Sequence, residues 1–290
     1  MHYSLPRTIL TVGIFLLATT TTLKPCFPQN RPKPTLEEVV ARHLASIGTP
    51  EARAAVKSRV AQGSVVATIR VGGTGQSKGG AVMASQGVMS LIGIIFGPQE
   101  YSNEKMAFDG KKLTVGEWKP GVRTHLGGFL LNHDIMFKEG LIGGTLSTAW
   151  PLLDLSLRNP KLRYAGLKKF EGRQLHILDY EPRSGGNLDI KLYFDSETFQ
   201  HLRTEYTQDF SPPAVSRPED AARQKETHLK LTEEFSDYRQ EAGLNLPHVY
   251  KLQLTIDSST DSVLQDWVLT LKQFLFNKEL DPKQFDLNIR

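Results

Sequence analysis

One short glycine-rich stretch has the spacing of a serine-hydrolase motif. Gly75, Ser77 and Gly79 fit the pattern G-x-S-x-G, in which the nucleophilic serine projects from a strained turn between a strand and a helix. Here the residues on both sides of the motif alternate as strands do, and glycine-rich hairpin loops readily match the pattern by chance. We therefore favour a plain loop and keep a hydrolase that uses Ser77 as the least favoured alternative. Phosphate-binding glycine loops have a different spacing.

The other side chains that could do chemistry form no recognisable site in the sequence. The eight histidines and the single cysteine lack the H-E-x-x-H and paired Cys/His spacings of zinc sites. His125 and the pair His133–Asp134 could share a polar spot near a lid, but we interpret them as exposed or hydrogen-bonded residues. Glu233 and Glu234 are adjacent on a predicted strand, so they point to opposite faces and cannot cooperate directly. We expect no metal, no cofactor and no enzymatic activity.

The first residues resemble an export signal. Residues 1–7 carry one arginine and no acid, and residues 8–18 (TILTVGIFLLA) are an apolar run of the length of a signal-peptide h-region, too short to span a bilayer. We assign residues 1–29 to a leader and residues 30–290 to a single domain, which we expect to be periplasmic or secreted. Apolar cargo and other exported proteins are then the expected partners.

A single cysteine follows the apolar run. Acylated lipoproteins carry a cysteine in such a place, but Lys24 and Pro25 before Cys26 do not fit the small residues of that context. We therefore favour a cysteine in a discarded leader over a lipid anchor. Because Cys26 is the only cysteine, no disulfide can form within the chain, and the core alone must hold the fold.

The composition describes an ordinary globular protein and excludes one class of partner. The chain has 290 residues, of which 39% are hydrophobic, which is enough for a substantial core. Its net charge of +4 falls to about +2 without Arg7 and Lys24 of the leader. No basic run interleaves with aromatic residues, so we expect no nucleic acid partner.

Two short helices are predicted at the start of the domain. Thr35 and Glu38 have the spacing of a capping box, and Gly48 provides a stop. The sequence Thr49-Pro50 predicts the start of a second helix, which continues to about residue 57. The apolar face of the first helix consists of Leu36, Val39, Val40, Leu44 and Ile47.

From Val60 onward, apolar and polar residues alternate with a period of two. Such one-sided strands are typical of an antiparallel sheet with one face in water, and short turns such as Asp109-Gly110 predict hairpins. The sequence therefore predicts a mainly β (α+β) fold with a large curved antiparallel sheet. Clear apolar faces are Ile190, Leu192 and Phe194; Leu229, Leu231 and Phe235; and Tyr250, Leu252, Leu254 and Ile256.

Three segments interrupt this alternation. Residues 79–97 are apolar on both faces and rich in glycine, which predicts a strand pair that is buried on both sides or faces an apolar interior. Residues 127–157 predict one or two helical pieces broken at Gly143-Gly144 and Pro151, because they are too apolar for a solvated loop. Residues 208–226 are polar and rich in proline, and predict a long loop between strands.

The order of these elements, together with several short phrases, resembles a known family. A first helix ends near ASIG and is followed by AQGSVVATI; later pieces are the hairpin LYFDSETFQHLRTEY and the segments EEFSDYRQEAGLNLPHVYKLQLT and FLFNKELDPKQFDL. Over residues 35–287 this pattern resembles the LolA/LolB-like superfamily, which includes periplasmic outer-membrane lipoprotein-sorting proteins and related sensor and lipid-binding proteins. The resemblance implies an unclosed β half-barrel. An N-terminal helix and short lid helices would cover it around a concave apolar cavity that accepts acyl chains.

One feature of the family is not matched by a motif. Family members that carry lipoproteins hold the lid with a particular arginine on an early strand. Arg70 is the one candidate counterpart in the sequence, but no surrounding motif supports the match, so we do not carry the role over.

The leading hypothesis is a non-enzymatic carrier or binder of lipid or lipoprotein acyl chains, as in outer-membrane lipoprotein sorting. The alternative is an envelope sensor or scaffold that uses the same fold to bind another protein, and peripheral membrane contact fits either. Taken singly, each candidate residue is better explained by a dry core, so the hypothesis depends on the group. The candidates for the cavity and its lid are Met83, Val88, Met89, Leu91, Ile92, Ile94, Ile95, Phe96, Phe129, Leu130, Leu131, Ile135, Met136 and Phe137.

Overall fold

The computed structural model describes residues 1–2, 33–70, 73–97, 102–210, 227–258 and 262–288. Apart from its first two residues, the predicted leader lies outside this part of the chain, and so does Cys26. Of the predicted polar loop, residues 211–226 also lie outside it. Residues 208–210 continue a strand instead, so the loop prediction began too early.

The two predicted N-terminal helices are confirmed. Helix α1 spans Leu36–Ile47 and helix α2 spans Pro50–Ala55. The Thr35 hydroxyl accepts a hydrogen bond from Glu38 N at 3.2 Å, and Thr49 caps α2 in the same way. Helix α2 ends slightly before the predicted boundary.

A single antiparallel sheet dominates the fold. Its strands are β1 (Ser58–Arg70), β2 (Thr74–Gln86), β3 (Met89–Phe96), β4 (Glu104–Phe108), β5 (Leu113–Val115), β6 (Lys161–Phe170), β7 (Arg173–Glu181), β8 (Asp189–Asp195), β9 (His201–Phe210), β10 (Thr227–Glu241), β11 (Leu244–Ser258) and β12 (Ser262–Phe276). The 12 strands are hydrogen-bonded in the order β5-β4-β3-β2-β1-β12-β11-β10-β9-β8-β7-β6. Strands β5 and β6 are its edges, so the sheet is not closed. The predicted fold class, mainly β with a large unclosed antiparallel sheet, is confirmed.

The strand order explains why one long connection crosses the sheet. Strands β1 to β5 step outward from the middle, whereas β6 to β12 start at the opposite edge and return until β12 pairs with β1. The connection between β5 and β6, residues 116–160, therefore joins the two edges, and we call it the lid. The lid contains α3 (His125–Asn132), α4 (Ile135–Lys138), α5 (Leu155–Arg158) and 3₁₀ turns at Gly144–Leu146 and Pro151–Leu153.

The lid has more and shorter helical pieces than predicted, although the predicted breaks are confirmed. At one break, Gly144 has a φ of +49° and lies against the sheet. A Cβ at this position would come within 2.7 Å of the Phe235 ring and 2.8 Å of His201, so only glycine fits there. Within the described ranges, no helix combines the length and the apolar content needed to cross a membrane.

The sheet curls around α1 and the lid. Helix α1 contacts both β6 and β11, although four strands lie between them. In a flat sheet these two strands would be about 24 Å apart, roughly twice the diameter of a helix. The face toward α1 and the lid, which we call the inner face, carries one continuous hydrophobic cluster.

The glycine-rich hairpin of β2 and β3 contributes one side to this cluster. Ile92, Ile94 and Phe96 are buried, whereas Ile95 is 50% exposed. Of the two predicted alternatives, contact with an apolar interior is right and burial on both sides is wrong. Successive side chains of a strand point to opposite faces, so one set of β3 side chains is buried and the other faces away from the interior.

Candidate functional site

Side chains of the lid fill the centre of the inner face, where an apolar cavity was expected. Met136, Phe137 and Trp150 of the lid are all buried in the main hydrophobic cluster. Between the β2–β3 hairpin and the turn Gly144–Leu146, a space of only about 10 Å³ remains. That space holds at most one water molecule. A ligand therefore does not fit here while the lid keeps this position.

The predicted cavity residues differ in burial. Most of them lie in the core: Met83, Ile92, Ile94, Phe96, Phe129, Leu130, Met136 and Phe137. Met89, Leu91, Leu131 and Ile135 are partly buried, and Val88 and Ile95 are exposed. Among these residues, Phe129 borders the larger cavity described next. Contact of the group with a ligand stays a prediction.

A larger cavity opens at one end of the inner face, beneath α3, and we call it the α3 cavity. Its volume is about 590 Å³, within the range of roughly 300–1,000 Å³ that is usual for small-molecule sites. Its apolar lining consists of Phe129, Leu229 and Ile256. Its polar lining consists of Arg123, Thr124, His125, Asn132, His133, Asn187 and Gln208, and Gly128 also borders it.

The floor of the α3 cavity is one row of residues across three neighbouring strands. Gln208 of β9 lies opposite Leu229 of β10, and Leu229 lies opposite Ile256 of β11. Directly opposite residues of antiparallel strands point to the same face, so the three side chains stand side by side. The alternating pattern places Leu229 and Ile256 on the apolar face, but Gln208 falls in the segment that was predicted as a loop.

Helix α3 forms the roof of the cavity. Its first turn is capped by Thr124, whose hydroxyl accepts a hydrogen bond from Gly127 N at 2.9 Å and donates one to Glu104 at 2.7 Å. A Cβ at Gly128 would meet no atom within 4 Å. Because Gly128 has no side chain, the helix leaves space that a larger residue could fill.

The polar spot that the sequence allowed for His125 and His133, but did not favour, lies at this cavity. His125 and His133 both line it, His125 at the exposed mouth and His133 buried. Asp134 instead forms an ion pair with Lys138 at 2.7 Å on the same short helix. The two histidines are thus brought together, and the adjacent carboxylate is not part of the site.

Buried groups around the cavity are held in their neutral forms. Burial lowers the pKa of His133, against an opposing effect of the neighbouring Gln208 amide. Burial also raises the pKa of Glu104 to about 8, although the Thr124 hydroxyl opposes this shift. Gln208 is only 4% exposed, and its Oε1 makes no hydrogen bond with any described group.

At the centre, a buried carboxylate ties the lid to the sheet. Glu233 accepts hydrogen bonds from the Tyr206 and Tyr250 hydroxyls and from the Gly143 N–H of the lid, each at 2.7 Å. Burial raises the pKa of Glu233 to about 7, against the lowering effect of these bonds. Glu234 points to the opposite face, as predicted, and pairs with a lysine there. The sequence did not identify Glu233 as a lid contact. Its spacing of two residues from Leu231 and from Phe235 nevertheless places it on the buried face of β10.

His43 of α1 connects the helix to the lid. Its Nε2 accepts a hydrogen bond from Trp150 Nε1–H at 3.0 Å, so its proton lies on Nδ1, which donates to the Phe199 carbonyl at 3.0 Å. Burial lowers the pKa of His43 to about 4, which keeps the ring neutral. Trp150 also stacks on His201 with the ring centroids 4.5 Å apart.

A buried arginine of the first strand makes a third contact with the lid. Arg59 is 4% exposed, and its guanidinium donates a hydrogen bond to the Thr145 carbonyl. Arg70, the candidate from the sequence, instead pairs with Asp266 at 2.7 Å on the neighbouring strand β12. No motif distinguishes Arg59 in the sequence, and the tertiary structure alone identifies it.

The G-x-S-x-G residues lie inside β2 and not in a loop. Ser77 pairs with Ala67 of β1, and the strand continues on both sides of it. The strand-to-helix turn that the hydrolase motif needs is not formed here, which removes the geometric basis of that alternative. Across the described ranges, no three His, Cys, Asp or Glu side chains group closely enough to hold a metal ion.

Comparisons with known proteins give matches of structure only. No protein-family model matches the chain, and no curated protein matches it significantly. The chain is similar to the structure of a LolA superfamily protein from Nitrosomonas europaea, with 13% identity and a TM-score of 0.45 over 88% of this chain and 99% of that one. It is also similar to a domain from Vibrio parahaemolyticus assigned as an outer membrane lipoprotein-sorting protein, with 11% identity and a TM-score of 0.45 over 87% of this chain and 96% of that one. The complex of MucA and MucB from Pseudomonas aeruginosa matches with 11% identity and a TM-score of 0.22 over 83% of this chain and 99% of that one.

The open sheet and the lid described above rest on the structure of this chain itself. The first two matched structures are a LolA superfamily protein and an outer membrane lipoprotein-sorting domain, the kinds of protein that the sequence resembles.

Proposed function

We propose that this protein is an exported, non-enzymatic binder or carrier of the acyl chains of lipids or lipoproteins, and that the α3 cavity receives the chain. The observation that supports this most directly is the cavity itself, with about 590 Å³ of space and Phe129, Leu229 and Ile256 in its lining. Because the centre of the inner face is filled, the chain would enter beneath α3. Residues 30–290 would then act as one lipid-binding domain behind a cleaved leader.

Apolar contact alone can supply useful affinity in such a cavity. Burying one methylene group stabilises a complex by about 0.8 kcal/mol, so six of them contribute roughly 5 kcal/mol before the entropic cost of association is subtracted. Leu229 and Ile256 are only partly buried in the protein, so an acyl chain would cover apolar surface that now faces the open cavity. No hydrogen bond is required for this part of the binding.

A loop beside the cavity suits peripheral contact with a membrane. Trp118 and Val122 are 57% and 45% exposed, and Trp118 N donates a hydrogen bond to Val122 O at 2.9 Å. Lys119 lies over the Trp118 ring, and the next basic residue, Arg123, lines the cavity. Exposed tryptophan next to basic residues is typical of segments at a membrane interface. Contact there would bring the cavity to a source of acyl chains.

The proposal is tested by filling the cavity from its roof. Delipidated Gly128→Leu protein is titrated with a fluorescent palmitate analogue, and we expect at least about tenfold weaker binding than for the unmodified protein, because the new side chain occupies the space of the ligand. Gly75→Leu is the matched control, since a Cβ at Gly75 in β2 also meets no atom within 4 Å. Equal binding by both variants, or no binding by the unmodified protein, would contradict the proposal.

The alternative is an envelope scaffold that binds another protein, and the filled centre together with the exposed Trp118 favours it. A Trp118→Ser variant separates the two functions. Loss of a co-purifying envelope protein, with palmitate binding and vesicle binding unchanged, would favour the scaffold. Loss of vesicle binding, with palmitate binding in solution unchanged, would favour the carrier.

A further inference from the structure

We propose that the α3 cavity selects a single-chain amphiphile whose head group carries both an anion and a hydroxyl, as a lysophospholipid with a glycerol head does. The inference rests on the proposed function and adds to it the chemical class of the head group. Two features of the polar lining support it: the positive charge of Arg123 and a buried amide oxygen that no described donor satisfies.

Among the described residues, the polar lining contains hydrogen-bond donors and no carboxylate. It consists of Arg123, Thr124, His125, Asn132, His133, Asn187 and Gln208. Glu104, which accepts a hydrogen bond from Thr124, has a pKa raised by burial to about 8, so it is largely uncharged at neutral pH. An anionic head group would therefore meet a positive guanidinium and neutral donors, without an opposing charge from the described lining residues.

Arg123 is available to such a head group. Its present partner is Glu117, at 3.3 Å, and the side chains are 37% and 40% exposed. Ion pairs of this exposure are screened by water and contribute little to stability. A desolvated anion at the cavity mouth forms a stronger, charge-assisted hydrogen bond with a guanidinium, so Arg123 would turn from Glu117 to the ligand.

Helix α3 lies along the cavity, because residues from both of its ends line it. Thr124, His125 and Gly128 belong to the cap and first turn, whereas Asn132 and His133 belong to the last turn and its cap. The partial charges of the two helix ends are opposite in sign, so the helix dipole does not decide which head group the cavity favours.

The second observation is the buried amide of Gln208, which specifies more than charge. Gln208 is 4% exposed and lines the cavity. Its amide lies near enough to the His133 ring to oppose the lowering of the pKa of that ring, but no described donor meets hydrogen-bond geometry at Gln208 Oε1. A buried acceptor without a partner is costly, and an anion cannot satisfy it. A hydroxyl on the ligand can donate to Gln208 Oε1, while the anionic group next to it accepts from Arg123 and the histidines.

The test compares amphiphiles with one palmitoyl chain and different heads. Lysophosphatidylglycerol has an anion and hydroxyls, palmitate has an anion alone, and monopalmitoylglycerol has hydroxyls alone. Lysophosphatidylcholine has a phosphate and a hydroxyl as well, but its choline cation cancels the net negative charge. Each displaces a fluorescent palmitate analogue from the delipidated full-length protein. We expect lysophosphatidylglycerol to bind about tenfold more tightly than palmitate or monopalmitoylglycerol, because one well-formed hydrogen bond or charge contact has that effect. Palmitate binding as tightly as lysophosphatidylglycerol would show that a carboxylate suffices and would overturn the hydroxyl part.

Two variants assign the selectivity to residues. Arg123→Gln should weaken binding of the two anionic ligands about tenfold and leave monopalmitoylglycerol unchanged. Gln208→Met, which keeps the side-chain length, should weaken lysophosphatidylglycerol and monopalmitoylglycerol and leave palmitate unchanged. Arg239→Gln is the matched control, because Arg239 is exposed and lies at the far end of β10 from Leu229. Circular dichroism confirms that each variant is folded.

The outcomes distinguish this inference from the proposed function. Equal affinity for all four amphiphiles, or equal effects of Arg123→Gln and Arg239→Gln, would overturn head-group selection and leave acyl-chain binding intact. Failure of all four to displace the probe would overturn both.

Discussion

The inner face has a filled centre and a hollow end, although the same three strands build both. At the hollow end, β9, β10 and β11 contribute the row of Gln208, Leu229 and Ile256 that floors the α3 cavity. The next row toward the centre consists of Tyr206, Leu231 and Leu254, each with no exposed surface. The change from cavity to core therefore occurs between neighbouring rows of one sheet.

The lid, and not the sheet, makes the difference. Over the centre it supplies Phe137 and Trp150, which pack into the core, and Gly143, whose backbone binds Glu233. Over the hollow end it supplies the first turn of α3, where Gly128 has no side chain. A cavity on a curved sheet is thus set by the residues that the covering segment places above each row.

The largest expected effect comes from emptying the filled centre. Trp150→Ala should lower the free energy of unfolding by about 3–5 kcal/mol, because it leaves a large void and removes the hydrogen-bond donor of His43 Nε2. Urea unfolding measures the change. Trp118→Ala, at a 57% exposed tryptophan, should stay within about 0.5 kcal/mol of the unmodified protein. Similar losses for both variants would mean that the centre is not the packed region.

The next effect concerns the polar contact between lid and sheet. Glu233→Ala leaves the Tyr206 and Tyr250 hydroxyls and the Gly143 N–H without their buried partner, so we expect a loss of about 3 kcal/mol. Hydrogen exchange at Gly143 should become faster. Glu234→Ala removes a partner of Arg203 and Lys251 on the opposite face, so it should cost some stability but leave exchange at Gly143 unchanged. Unchanged exchange at Gly143 in Glu233→Ala would refute the lid contact.

A pH series isolates the charge of this buried carboxyl. The pKa of Glu233 is raised from 4.5 to about 7, so its contribution to stability is complete below about pH 4.5 and is lost as the pH rises through about 7. Relative to the unmodified protein, Glu233→Gln should therefore gain up to about 3 kcal/mol between pH 5 and pH 8. His43, with a pKa lowered to about 4, acts in the opposite direction below about pH 6.5, but it is present in both proteins and cancels.

Urea unfolding at several pH values checks this prediction. Glu234→Gln is the control, since its side chain lies on the solvated face, and it should show no such trend. A constant difference between Glu233→Gln and the unmodified protein across the series would contradict the assigned pKa.

The smallest effect compares two glycines of the lid. Gly128→Ala at the hollow end should stabilise the protein by about 0.5–1 kcal/mol, because alanine favours a helix and its Cβ meets open space. Gly144→Ala at the centre should destabilise it by more than about 1 kcal/mol, because φ is +49° and the Cβ would overlap Phe235 and His201. Thermal unfolding of the pair measures both signs. The same sign for both would remove the distinction between the two regions.

Much of the local structure could be predicted from the sequence. Capping at Thr35 and Thr49, the breaks near Gly144 and Pro151, and the alternating apolar faces each depend on residues close together in the chain. Their physical causes are local. A side-chain oxygen accepts a hydrogen bond from a free backbone N–H at a helix start, a residue with a Cβ disfavours a positive φ, and successive side chains of a strand point to opposite faces. The structure confirms these features almost unchanged.

The candidate site could be predicted only in part. A shared polar spot of His125 and His133 near a lid was considered but not favoured, and the structure places both of them, with Phe129, in the lining of the cavity. Gln208 was assigned to a loop, Arg59 went unnoticed, and Glu233 was considered only for pairing with its neighbour. The surroundings of each of these residues come from parts of the chain that are distant in sequence. A local sequence pattern therefore cannot reveal them.

The sequence by itself determined the kinds of elements and their order, because periodicity and capping depend on neighbours within a few residues. The tertiary structure decided where the inner face is filled and where it is open. That outcome depends on which lid residue meets which row of the sheet once the lid has joined the two edge strands. Van der Waals packing is short-ranged, so the presence of Trp150 over one row and of Gly128 near another becomes a core or a cavity only in the folded chain.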